Sequence, residues 1–131
     1  MAANLVKAGH DVVGFDPVAT PDSIPLANTA RLAVESADVV ITMLPNGSIL
    51  QSVAAEIHPV MGADSIHLDC STVDVESTRI IAQAAEKYNI TCVDAPVSGG
   101  IGGAANGTLT FMAGGTRSGF YRVSPPFDIM G

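Results

Sequence analysis

The sequence predicts an incomplete Rossmann-type α/β fold: a doubly wound, mostly parallel sheet between two layers of helices. Three observations carry this. Four short runs, at 11–15, 38–44, 65–69 and 90–94, read as apolar cores flanked by acids rather than as regular alternation, the pattern of strands covered on both faces. Segments of helical spacing separate most of them, as parallel crossovers require. The chain has 131 residues, 47% of them hydrophobic, enough for one domain with its own core.

Taken in order, Met1–Gly9 reads as the back half of a helix. Met1, Leu5 and Ala8 share a face, and Gly9 stands where a left-handed residue ends helices. Asp11–Phe15 reads as a buried strand closed by Asp16-Pro17. Residues 17–28 carry Pro17, Pro21 and Pro25, which leaves no room for a full helix. Thr29–Ser36 allows one or two helical turns. Asp38–Leu44 is a second buried strand, stopped by Pro45-Asn46-Gly47. Ile49, Val53 and Ile57 give Ser48–Ile57 a helical face. Ser65–Asp69 is the third strand, and Asp74 is placed to cap a long amphipathic helix running to Tyr88. Ile90–Asp94 is the fourth strand, followed by a glycine-rich loop. Thr108–Ala113 is the fifth. From Thr116 the pattern is helical but is expected to break at Pro125-Pro126.

Composition narrows the function. Six basic against thirteen acidic residues give a net charge of −7, unsuited to nucleic acid or to an anionic membrane. The apolar run Val39–Leu44 is far shorter than a membrane span. Charged residues are only 15%, so part of the surface is expected to meet more protein. Cys70 and Cys92 lie in apolar runs and read as reduced core thiols. No pair among His10, His58 and His67 has metal-ligand spacing or a nucleophile beside it, so no metal site is expected.

The chemistry is expected at the strand ends. In a dinucleotide-binding sheet an acid at the end of the second strand accepts hydrogen bonds from the adenosine ribose, and Asp16 has that context. An acid there repels a 2′-phosphate and favours NAD over NADP. The plainer alternative is that Asp16-Pro17 starts a turn. The Gly-x-Gly-x-x-Gly fingerprint is not found. Gly100-Ile-Gly102-Gly-Ala-Ala105 fits a relaxed form, but a strand rather than a crossover helix is expected after it, with no acid in ribose position. Three successive strand ends, Leu44-Pro45-Asn46-Gly47, Asp69-Cys-Ser-Thr72 and Asp94-Ala-Pro-Val-Ser98-Gly99-Gly100, present small polar groups and open backbone. Such groups suit a carboxylate or a phosphate.

Several segments resemble the β-hydroxyacid dehydrogenase family: Met1–Leu5 with Ala8-Gly9, Ala37–Pro45, Asp69–Thr72, and above all Asp94–Gly100 and Gly107–Gly115. The resemblance implies an NAD-binding domain in which Asp16 holds the ribose, Leu44 and Pro45 line the cofactor, and Thr72 lies beside the nicotinamide. Ser98, Gly99 and Gly100 would receive the carboxylate of a small 3-hydroxy acid. It further implies hydride transfer with a lysine as acid/base in an all-helical domain that also makes dimer contacts. Neither Lys7 nor Lys87 matches that lysine, which the resemblance puts beyond Gly131, so no catalytic residue is expected in 1–131. By the same resemblance the chain is expected to be truncated at both ends and inactive alone; the alternatives are a tartronate-semialdehyde reductase or another relative, or a non-catalytic nucleotide-binding remnant. Asp11–Phe15 and Ser65–Asp69 are then expected to flank the place of the first strand, leaving unpaired edges or drawing together. A cytoplasmic or mitochondrial-matrix location follows from the family.

Overall fold

The computed structural model describes all 131 residues. Its centre is a four-stranded sheet built from β1 (Val39–Thr42), β2 (Ile66–Asp69), β3 (Thr91–Asp94) and β6 (Gly114–Gly115) in that spatial order. The first three run parallel, with Thr42, Asp69 and Asp94 in register, and β6 closes one side antiparallel. The remaining elements are α1 (Ala2–Lys7), α2 (Ala30–Val34), α3 (Gly47–Ile57), α4 (Val75–Glu86), β4 (Val97–Ser98), α5 (Gly100–Asn106), β5 (Thr110–Phe111) and α6 (Arg117–Met130). This is the doubly wound α/β class that the apolar runs predict.

Strand alternation divides the core in two. Ile66, Leu68, Cys70, Val93 and Ala95 face α6, where Val123, Phe127 and Phe111 pack with Met1. Val40 and Cys92 face the other way, against Ala30 and Val34 of α2, Ile57 of α3 and Ala85 of α4. Only β2 is buried at all four residues, because it alone of the parallel strands has a parallel neighbour on each side.

The helices start on local signals. Thr29, Asn46, Asp74 and Thr116 each accept a backbone N–H three residues on, capping α2, α3, α4 and α6. Helix α1 ends before Gly9, as its sequence predicts, and Leu5 is its buried residue. The terminal amine of Met1 and the Asn4 amide both donate to Ala104 O, fastening α1 to α5.

Several expectations are corrected. Asp11–Phe15 is not a buried strand: Val13 and Phe15 are exposed, and the segment makes only a single bridge, Gly14 to Leu26. An apolar run becomes a strand only where a neighbour completes its ladder, and none of its hydrogen bonds reaches the sheet. The edge of the sheet is β1, not β2, which lies inside between β1 and β3; Ser65–Asp69 therefore borders no gap and has not moved against Asp11–Phe15. As an edge strand, β1 alternates between buried and half-buried residues instead of being buried throughout. The stretch after β3 is not all loop, since Gly100–Asn106 is helical, and the expected fifth strand is two short pieces: β5 pairs with β4 and β6 with β3.

Finally, α6 runs through Pro125 and Pro126. Pro125 has no N–H for Tyr121 O, and the Ser124 hydroxyl donates to that carbonyl instead, at 2.9 Å. Gly131 then caps the helix, its N–H donating to Phe127 O at 2.8 Å.

Candidate functional site

Because β1, β2 and β3 are parallel and in register, their C-terminal ends open on one rim. Leu44-Pro45 leaves β1, Ser71-Thr72 leaves β2, and Ala95–Gly100 leaves β3. The structure thus brings together six of the seven residues singled out from the sequence. Pro45, Thr72, Ser98, Gly99 and Gly100 are exposed, and Leu44 is half-buried. Gly99 and Gly100 have φ of +136° and +63°, backbone that a side chain resists, and a Cβ at Gly100 would meet nothing within 4 Å. The backbone here stands open to a ligand.

Asp16 is not brought to this rim by any hydrogen bond. Its Oδ1 accepts the Val18 and Ala19 amides at 2.8 Å each, so it starts its own turn. Those two bonds, Ala19 first, hold its carboxyl below the usual value. No protein donor reaches Oδ2, which leaves one oxygen for a ligand hydroxyl.

Gly131 supplies no titratable side chain. A Cβ there would strike Leu109 O and the Phe111 ring, so the end of α6 is fitted against β5 and its approach. Nothing in that contact carries acid–base chemistry.

Beneath the rim lies a polar network that sequence reasoning missed in part. Of Asp69-Cys-Ser-Thr72 only Thr72 is exposed; the other three are buried. Asp69 Oδ1 accepts from Thr42 Oγ1 at 2.7 Å, from the Ser71 amide at 3.1 Å and from Ser71 Oγ at 2.6 Å. Ser71 Oγ accepts the Leu44 amide at 2.9 Å, so one hydroxyl ties the first rim loop to the second. At the starts of α3 and α4 the two loops also interlock: Gln51 donates to Ser77 Oγ, which donates to Asp74. A Cβ on Gly47 would land on Ser77 Oγ and Asp74 Oδ1, so glycine alone fits there.

The network extends inward. Thr42 Oγ1 lies 2.9 Å from His67 Nε2, and His67 Nδ1 lies 2.9 Å from His58 Nε2. Burial lowers both imidazoles, His67 to about 3 with help from His58, so both are neutral at pH 7. Burial, then Asp69, pushes Cys92 up to about 12, and burial with Asp69 and Asp94 does the same to Cys70. Both are free thiols, protonated at neutral pH, as expected of reduced core cysteines. Asp94 is raised by burial and by Asp69. His58, expected in a loop, is buried at the end of α3 and touches His67; together with Cys92 they form a cluster that the sequence separations of 9 and 25 residues do not announce.

The comparisons with known proteins agree with this architecture. The sequence profile of the family described as the NAD binding domain of 6-phosphogluconate dehydrogenase matches residues 1–131. A 3-hydroxyisobutyrate dehydrogenase of Pseudomonas aeruginosa is 41% identical over 140 residues, covering 100% of this chain and 47% of that protein. An NAD-dependent L-serine dehydrogenase of the same organism is 42% identical over 142 residues, covering 100% and 47%. The structure of a Mycobacterium tuberculosis 3-hydroxyisobutyrate dehydrogenase with L-serine superposes with a TM-score of 0.94 at 38% identity, covering 99% of this chain and 47% of that one. The chain spans about half the length of these relatives. No helix is long and apolar enough to cross a membrane.

Proposed function

Since the chain belongs to the family of NAD-binding domains of the 6-phosphogluconate dehydrogenase type, we propose that it is the nucleotide-binding part of an NAD-dependent 3-hydroxy acid dehydrogenase. The observation that carries this reading is the convergence of three parallel strand ends on one open rim, the place where α/β sheets of this kind bind ligands. Leu44 offers a half-buried apolar surface and Pro45 an exposed ring for the cofactor, with Thr72 beside the nicotinamide. Ser98 has an exposed hydroxyl, Gly99 packs against Leu109, and Gly100 has unobstructed backbone; together they suit the carboxylate of the substrate.

Bound there, NAD supplies a hydride acceptor for the carbon that carries the substrate hydroxyl. The chain's own residues position and hold. Ser71 fixes Leu44 against Thr72, and Asp69 fixes Ser71. Asp16 turns a free carboxylate oxygen toward solvent, which suits a ribose diol and disfavours a 2′-phosphate. NAD is accordingly preferred to NADP. The resemblance assigns the acid/base role to a lysine that neither Lys7 nor Lys87 matches. The substrate is a small 3-hydroxy acid of the 3-hydroxyisobutyrate kind. L-serine, itself a 3-hydroxy acid, is a second reading, favoured by the L-serine dehydrogenase among the relatives and by the L-serine in the solved structure. Reduction of tartronate semialdehyde to its 3-hydroxy acid, the same hydride transfer run in reverse, is a further reading of the same rim. The whole protein is a homo-oligomer of the cytoplasm or, in a eukaryote, of the mitochondrial matrix. One relative, from Drosophila melanogaster, is a mitochondrial 3-hydroxyisobutyrate dehydrogenase.

Amide chemical shifts recorded while NADH is added to the 131-residue chain test the placement. The expected shifts fall on Leu44, Ser71, Thr72, Gly99 and Gly100, weaker with NADPH than with NADH, and Asp16→Ser brings the two cofactors closer together. Shifts confined to other parts of the sheet, or none at all, would overturn the assignment.

A further inference from the structure

We propose that His58, His67 and Cys92 form a buried site for a single zinc ion on the face of the sheet beneath α3 and α4. This goes beyond the nucleotide-binding reading and does not depend on it. His58 opens the short 3-10 turn after α3, His67 is the second residue of β2, and Cys92 is its register partner on β3. Their ligand atoms lie within 4.8 Å of one another, and the two imidazole nitrogens are 2.9 Å apart. Zinc bonds of about 2.0–2.1 Å to nitrogen and 2.3 Å to sulfur put tetrahedral ligand atoms about 3.3–3.7 Å apart. The two imidazole nitrogens therefore need to part by about 0.4 Å, and the sulfur to close on them by at most about 1.3 Å.

The hydrogen bonds around His67 prepare it as a ligand. The Thr42 hydroxyl has a single proton and donates it to Asp69, so it accepts from His67 Nε2–H. That fixes the tautomer and leaves the lone pair of His67 Nδ1 directed at His58 Nε2. A histidine whose outer N–H is held through a relay to a carboxylate is the usual arrangement behind a metal. On binding, the His58 proton moves from Nε2 to Nδ1, and the Cys92 thiol releases its proton to solvent. The donor set of two imidazoles and one thiolate suits zinc.

A second observation points to the same place. Asp69 Oδ2 is the one side-chain oxygen or nitrogen that is fully buried without a hydrogen-bond partner. Asp69 lines the same small hollow as His67 and Cys92. Asp69 is not one of the three ligands, but a divalent cation near it offsets part of the cost of burying a carboxylate whose second oxygen has no partner.

The test begins with the 131-residue chain stripped by chelator and dialysed against zinc. We expect one equivalent retained, and cobalt(II) in its place to give a thiolate-to-metal charge-transfer band. Cys92→Ser should abolish the band and Cys70→Ser should keep it. Thr42→Val, which removes the relay without touching a ligand, should weaken zinc binding about 10–100-fold. Should a variant fail to fold, the unaltered chain gives the same answer: zinc should slow alkylation of Cys92 at least tenfold. Absence of both zinc retention and the cobalt band, a band that survives in Cys92→Ser, or alkylation of Cys92 indifferent to zinc would each overturn the proposal.

Discussion

Asp74 is the residue whose sequence reading and structural role coincide most closely. Its carboxylate accepts the Ser77 amide at 2.8 Å and the Ser77 hydroxyl at 2.9 Å, capping α4. These bonds lower its pKa from 3.8. The folded carboxyl thus protonates later than the unfolded one, and the unfolded chain takes up the proton first. The contribution of Asp74 is whole above the unfolded value and declines as pH falls through the folded one. Asp74→Asn keeps an acceptor at the cap but carries no charge to titrate. Melting temperatures measured from pH 6 down to pH 3 should therefore fall less steeply for Asp74→Asn than for the unaltered chain. Equal slopes would remove Asp74 from the acid response. At this scale Asp16 was half legible. Its turn-starting role is a matter of residues 16–19 alone, whereas a ribose contact depends on a ligand.

Among the elements, legibility followed how local the cause was. Helices α3 and α4 were readable because their caps and apolar faces lie within a dozen residues. Helix α5 was not, since three glycines in Gly100–Asn106 carry the poorest helix propensity after proline. The continuation of α6 past Pro125 depends on the Ser124 hydroxyl, which the binary pattern does not show. Strand position was the least legible. Asp11–Phe15 and Val39–Thr42 are similarly apolar, yet only the second finds a strand to pair with along its length, the first making a single bridge to Leu26. The rim itself was readable because parallel strands must end on one side; the His58–His67–Cys92 cluster was not, because sheet register creates it.

The edge position of β1 has a measurable signature. Asp38 O and Thr42 O accept from Ile66 and Cys70 of the next strand, so the even-numbered residues of β1 point inward. Val39 and Ile41 then turn their backbone N–H groups outward, where no strand meets them. Hydrogen exchange should find Val40 and Thr42 protected with the amides of β2, and Val39 and Ile41 fast. Slow exchange at Val39 and Ile41 would show that another strand covers this edge, for instance from a second copy.

For the molecule as a whole, the arrangement separates binding from turnover. Helix α4 starts at the rim and runs away from it, so Lys87 at its far end stands about 18 Å off. Lys7 ends α1. Neither lysine matches the one to which the resemblance assigns the moving of the substrate's proton, a role worth roughly 10²–10⁴-fold in rate. The 131-residue chain is expected to form no NADH from 3-hydroxyisobutyrate or L-serine. Turnover by the purified chain would require another base at the rim. The fold class, the rim and the family were all legible at this scale, because they depend on the order of elements and not on their ends.

Residues 10–28 have one more consequence. This segment is closed on itself by two backbone hydrogen bonds, Gly14 to Pro25 and Ala27 to Gly14, and Val18 at its tip is 88% exposed. Little has to open for a protease to seize it. Trypsin has no lysine or arginine to cut between Lys7 and Arg31, whereas thermolysin, which cleaves before aliphatic residues, finds Val18 and Ile24. A brief digest should nick the chain there first. The Met1 amine, Asn4 and Leu5 hold α1 independently of that segment. The N-terminal peptide should consequently co-elute with the rest on gel filtration after cleavage, two fragments behaving as one domain.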